Sequence, residues 1–209
     1  MKVTNDSVRA QGRREQILRS AERCFRDFGF HAASISKISK AAGMSSGHIY
    51  HYFDNKEAII AAIVMRDLET RLALTEALRA KSGQPEALKQ HIADALVRQL
   101  DTGLAALKVE ILAEAGRNPG VAKIVRDADL ASRLAFSKAI REIRRAAGFQ
   151  DDPRELDGMV EFLAALFGGL TLRIIGNPAL EPDLLVSSAQ RIVEQALFRS
   201  GAMTADGPV

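Results

Sequence analysis

Residues 43–56 read Gly-Met-Ser-Ser-Gly-His-Ile-Tyr-His-Tyr-Phe-Asp-Asn-Lys and hold two of the chain's four histidines and both of its tyrosines. Small residues at Ser46 and Gly47 let a backbone approach another surface closely. The ring of His48 beside them can present a nitrogen to a base edge in a DNA groove. A short helical pattern over residues 36–42 precedes this stretch, and a long apolar-periodic segment begins after it at Ile59. A helix, a glycine turn and a second short helix crowded with small polar and aromatic groups describe a helix-turn-helix. The second helix of such a unit enters the major groove while neighbouring groups hold phosphates.

The elements that must carry these groups are helical. Over residues 9–28 the apolar positions Ile17, Leu18, Ala21, Cys24, Phe25 and Phe28 line one helix face, and Gly29 ends it. The next helix, 36–42, should bury Ile35, Ile38 and Ala42 and stop at Gly43. Ser45 or Ser46 can cap the third, which turns Ile49 and Phe53 inward. Asp54 and Glu57 have the spacing of a capping box, opening a helix to about residue 81 that Gly83 closes. Pro85, Pro119, Pro153 and Pro182 sit where first helical residues would, with Asn118 and Asp152 as N-caps. The helices so implied are 85–101, 104–116, 119–147, 153–175 and 182–199. Long helices with short connections pack antiparallel in a bundle.

Charge divides the chain. Residues 1–56 carry ten Lys/Arg against five Asp/Glu, a net of +5, leaving −2 for the remainder of a chain whose total is +3. A basic head on a mildly acidic body fits a polyanion-binding module joined to a body with another task. The single cysteine, Cys24, rules out an internal disulfide and suits a reducing cytoplasm. The first residues lack the apolar core of a signal peptide. The longest uncharged apolar run, residues 162–172, is shorter than the roughly 20 residues of a membrane span, so no membrane partner is expected. There is no metal-ligand cluster, phosphate loop or serine elbow, hence no catalytic residue, metal or cofactor is predicted.

Residues 9–60 resemble the DNA-binding domain of the TetR family of bacterial repressors. The resemblance is carried by Ile17, Leu18, Ala21, Phe25, Gly29, Ser34-Ile35, Ile38, Ala41-Ala42-Gly43-Met44-Ser45, Gly47, Ile49-Tyr50 and Phe53-Asp54-Asn55-Lys56-Glu57. Ser39 departs from it, standing where the family usually has alanine. The resemblance implies that Tyr50 and Lys56 hold phosphates, helped by Ser34, Ser36 and Ser45. Arg13 and Arg14, on the polar side of the first helix, are in reach of flanking phosphates. Ser46, Gly47, His48 and His51 are the expected groove-facing residues.

For residues 57–209 the same resemblance implies a five-helix ligand-binding and dimerisation domain, whose last two helices pair across a two-fold axis. Phe162, Leu166 and Leu170, in a run apolar nearly all round, and Leu185, Ile192 and Ala196 on a second apolar row are the expected dimer interface. Residues 164–173 are also similar to the choline-responsive BetI branch, a likeness that by itself implies no ligand. Polar groups on apolar helix faces, Arg98, Glu110, Glu114 and Arg173, with Phe136 and Phe162, are the candidate pocket. The body has no Trp and no Tyr. Phenylalanine gives weak cation–π trapping, so the expected effector is a largely apolar small molecule with one polar end rather than a quaternary amine.

The sequence therefore predicts an all-α protein, with a three-helix DNA-binding head over 1–56 and an antiparallel helical bundle over 57–209. It reads as a cytoplasmic, homodimeric, effector-responsive repressor of a palindromic operator. The competing readings are a helical carrier or enzyme-like protein with a vestigial head, and a DNA binder that activates or needs no ligand.

Overall fold

The computed structural model describes residues 5–81, 85–149 and 152–198. Among these every regular element is an α-helix: α1 (Asn5–Ala32), α2 (Ile35–Ala42), α3 (Ser46–Tyr50), α4 (Lys56–Arg79), α5 (Pro85–Gln99), α6 (Thr102–Ala115), α7 (Pro119–Ala146), α8 (Pro153–Gly176) and α9 (Pro182–Phe198). The four predicted proline starts each open a helix. Asn118 Oδ1 accepts from the Gly120 and Val121 amides at 3.0 and 3.3 Å, and Asp152 Oδ1 from Arg154 N at 2.8 Å. The N-cap of α4 differs from expectation. Asn55 Oδ1, not Asp54, accepts from Ala58 N at 2.7 Å, so no capping box forms. Gly83 lies outside the described residues.

The chain divides into two compact units, residues 1–69 with 106–129, and residues 70–105 with 130–209. In the first, Ile17, Leu18, Ala21 and Phe25 of α1 meet Ile38 and Ala42 of α2, Ile49 of α3, Phe53, and Ile59 and Ile60 of α4, all 4% exposed or less. Each such side chain contributes about 1.5–3 kcal/mol by leaving water. Ile35 is only half-buried. Arg66 of α4 forks between Glu15 and Glu22, two turns apart on α1, and ties these helices together at the edge of the core. Cys24 lies inside this unit, and burial raises its thiol pKa, which keeps it unreactive.

In the second unit the core joins Leu78, Leu88, Ile92 and Leu96 to Ile140 and Ile143 of α7, Leu156 and Leu163 of α8, and Val193 and Leu197 of α9. The other side of α8 is bare. Gly158, Phe162, Ala165, Gly169, Leu172 and Gly176 recur at alternating spacings of four and three, and all are exposed. By length and composition α8 is apolar enough to cross a membrane, yet only 22% of its most apolar 18-residue window is buried. An apolar stripe of this period is the pattern of a seam between helices.

Candidate nucleic-acid interface

The turn between α2 and α3 is built from short-range hydrogen bonds. Ser34 Oγ accepts from Lys37 N at 3.2 Å and starts α2. Gly43, at φ 63°, ends it in the left-handed region that glycine alone enters without cost, and Met44 N reaches Ser39 O at 2.9 Å. Ser45 Oγ then accepts from His48 N at 3.2 Å and caps α3. A helix of five residues has no stability alone. It is held by Ile49, fully buried, and by Ser39, whose hydroxyl donates to Ser36 O at 2.9 Å and lies 3.2 Å from Ser46 Oγ. The serine in the usual alanine position thus bridges the two helices. From α1, Gln16 Nε2 donates to Ala42 O at 2.7 Å and fixes the end of α2.

With Ile49 turned inward, α3 presents Gly47, His48, Tyr50 and His51 to solvent, and Ser46 at its half-buried edge. His48 and His51 flank Tyr52, with ring centroids 5.4 and 5.2 Å from the tyrosine, forming an aromatic ledge. A Cβ on Gly47 would meet nothing within 4 Å. Ser34, Ser36, Arg13 and Arg14 are also exposed. Arg13 Nη1 donates to Gln16 Oε1 at 3.1 Å, and the Arg14 guanidinium lies 5.1 Å from the Phe53 ring centroid.

Lys56 stands differently. Its ammonium donates to Phe30 O at 2.8 Å and lies 4.3 Å from the Phe30 ring centroid, bracing the kinked last turn of α1. Two cations that the sequence did not single out, Lys37 and Lys40, are exposed on α2, and Lys37 Nζ sits 4.6 Å from the exposed Phe28 ring. Their signal was present: both fall outside the Ile35/Ile38 face of that helix.

The candidate pocket residues are divided between the two units. Glu110 and Glu114 belong to the first unit, where Glu110 accepts from Phe30 N at 2.5 Å and Glu114 lies 3.1 Å from His31 Nε2. In the second unit Phe162 is 63% exposed and Arg173 is exposed, because both lie on the bare side of α8. Arg98 and Phe136 are half-buried. In the same unit lie His91, which the sequence places on one helix face with Arg98 and whose ring stacks on Phe136 with centroids 5.8 Å apart, and the Thr171–Gln99 hydrogen bond of 2.9 Å. Burial pushes the His91 pKa down, against the opposing effects of Asp94 and the Leu74 backbone. Of the expected seam, Phe162 and Ile192 are exposed, Leu166 and Ala196 half-buried, and Leu170 and Leu185 packed on the unit's own core. The free stripe is therefore offset from Leu166 and Leu170 to the neighbouring positions 165, 169 and 172.

A capped two-helix turn with a polar, glycine-bearing outer face defines a helix-turn-helix protein. Residues 17–63 match the bacterial regulatory proteins of the tetR family, and residues 84–198 match the C-terminal domain of BetI-type transcriptional repressors. The chain belongs to the TetR family of transcriptional regulators. It is 32% identical to the transcriptional regulator UidR of Escherichia coli K12 over 157 residues, 72% of this chain and 76% of that one. Salmonella enterica GusR has a similar structure, with TM-score 0.72 and 26% identity, covering 94% of this chain and 99% of that one. The Bacillus subtilis regulator FadR in complex with stearoyl-CoA, 18% identical, shares the fold at TM-score 0.70 over 88% of this chain and 97% of its own.

Proposed function

We propose that this regulator binds a palindromic operator as a homodimer, acts as a repressor in the cytoplasm, and lets go of DNA when a small molecule occupies its C-terminal body. The observation that carries the DNA-reading assignment is the outer face of α3. Gly47, His48, Tyr50 and His51 face solvent while the single apolar residue Ile49 faces the core. In this reading residues 1–56 are the DNA-binding part and 57–209 the effector and dimerisation part. Ser46, Gly47, His48 and His51 meet base edges, while Tyr50, Arg13, Arg14, Ser34, Ser36 and Ser45 hold phosphates. Lys56 contributes by bracing the corner that leads into α2.

The dimer is supported by the bare stripe of α8 with Leu184 and Ile192 of α9, 66% and 46% exposed. An apolar surface of this kind is costly to leave in water. The effector is a largely apolar molecule with one polar end. His91, whose pKa burial lowers, together with Gln99, Thr171 and Arg98 of the same unit, offers hydrogen bonds to that end, and Phe136 offers an apolar face. The test is a gel shift with the DNA upstream of the protein's own gene against a scrambled duplex, repeated over amphiphilic compounds and quaternary amines. Retention of the first duplex only, released by amphiphiles and not by quaternary amines, is the expected result. Equal retention of both duplexes removes the operator reading, and release by no compound removes the effector.

A further inference from the structure

The kink at Gly29 near the end of α1 forms a corner that shows how the reading head is held. At Gly29 the backbone leaves helical space, with φ 75° and ψ 164°, so the Phe30 amide loses the carbonyl four residues back that a continuous helix would give it. Glu110 Oε1 of α6 takes that amide at 2.5 Å. The turn itself favours glycine, and the same oxygen would lie 3.1 Å from a Cβ on Gly29, a tight contact that the carboxylate would have to ease by a few tenths of an ångström. One turn along α6, Glu114 faces the next residue of the corner. Its side chain is 3% exposed and its Oε2 lies 3.1 Å from His31 Nε2 and 3.9 Å from Arg117 Nη2. These are ion-pair distances without an aligned hydrogen bond on that oxygen. On the carbonyl side the corner is closed by Lys56.

The consequence lies downstream in the chain. Ser34, the N-cap of α2, follows three residues after His31, and α2 is joined to α3 by the Ser39–Ser46 contact. The corner therefore sets where α2 starts, and α2 sets where α3 stands. We propose that Glu110 and Glu114 are positioning residues for DNA reading: two carboxylates of α6 grip successive residues of the Gly29–His31 corner and so hold the recognition helix in register. Neither touches DNA in this account, which rests on the regulator reading above.

Glu110→Gln keeps an oxygen that accepts the Phe30 N–H, whereas Glu110→Ala leaves that amide without a partner. Affinity for the upstream duplex should fall about tenfold or more in Glu110→Ala, less in Glu114→Ala, and stay within about threefold of wild type in Glu110→Gln. The slope of affinity against salt should not change in any of them, since no phosphate contact is removed. Circular dichroism at the assay temperature should show each variant folded. Independently of any DNA, amide exchange over residues 46–50 should quicken about tenfold in Glu110→Ala and not in Glu110→Gln. Unchanged exchange in Glu110→Ala, or a glutamine variant as impaired as the alanine one, overturns the proposal. Failure of the wild type to prefer its upstream duplex would instead remove the regulator reading, and the exchange comparison would still decide the role of Glu110.

Discussion

Gly47 in α3 and Gly169 in α8 lie in ordinary helical backbone, and a Cβ on either would meet nothing within 4 Å. A glycine inside a helix is less favourable than alanine by about 1 kcal/mol. Gly29 and Gly43, by contrast, have φ of 75° and 63° and are required by the chain's own turns. In the proposed reading contacts outside the protomer account for the first pair, and their neighbours differ in kind. Around Gly47 stand Ser46, His48, Tyr50 and His51, polar and aromatic groups suited to phosphates and base edges. Around Gly169 stand Phe162, Ala165 and Leu172, suited to a second apolar helix. The same residue type thus stands on two exposed surfaces of opposite chemistry.

The sharpest way to break the comparison is at α8. Phe162→Asp with Leu172→Asp should turn a dimer into monomers by light scattering at micromolar concentration, since an obligate interface of this type buries on the order of 2,000 Å². Gly169→Leu should do the same more gently. The protomer has room for the side chain, so helix content should hold while dimerisation weakens. A Gly169→Leu protein that remains as dimeric as wild type would contradict close helix approach at this point.

At α3 the matching change is Gly47→Leu. It should leave the melting temperature within about 2 °C, because a surface substitution without a clash typically costs under about 0.5 kcal/mol. Operator affinity should drop about a hundredfold, since the groove floor has no space for the side chain. Parallel losses of stability and affinity would place the fault in the fold instead.

A smaller effect is expected one residue on. His48→Ala should relax preference at one or two base pairs by about 1–3 kcal/mol, measured as competition between cognate and mutated duplexes. Equal losses on cognate and random DNA would take His48 off the list of base readers.

Periodicity and turn chemistry carried most of the fold. The stripe Ile17–Leu18–Ala21–Phe25, the glycine at 43, the Ser45 cap and the four proline starts act within a few residues, and such signals are legible in sequence. What escaped it depends on long-range partners. Glu110 and Glu114 read as pocket carboxylates because they lie one turn apart on an apolar helix. Only the fold shows that Gly29 frees an amide 80 residues away for Glu110 to accept. The family resemblance gave Lys56 as a phosphate ligand, and its hydrogen bond to the Phe30 carbonyl, 26 residues distant, is a second partnership that only the fold shows. On α8 the run 162–172 is apolar on all sides, so composition could not tell the inward Leu163 and Leu170 from the outward Phe162 and Leu172. The solvent-facing residues of α3 were legible as a set, because Ile49 alone marks its inward side.

The mildest test concerns the interior of the second unit. His91 has its pKa lowered by burial, so the unfolded chain binds its proton at higher pH than the folded one. Stability should be fully present above the ordinary histidine value of roughly 6.5 and fall as pH drops below it. In His91→Gln the melting temperature should lose part of that acid dependence. An identical pH profile in both proteins would mean that His91 does not report on the buried face offered to an effector.

Nuclease footprinting of the protein on the DNA upstream of its own gene tests the central claim most directly, because it reads DNA recognition and two-fold symmetry together. The account predicts a protected inverted repeat whose half-site centres lie about 10 base pairs apart or a multiple of that, with protection lost in Gly47→Leu and weakened in Gly169→Leu. A single unsymmetrical footprint, or no protected segment at concentrations where the protein is dimeric, would contradict it.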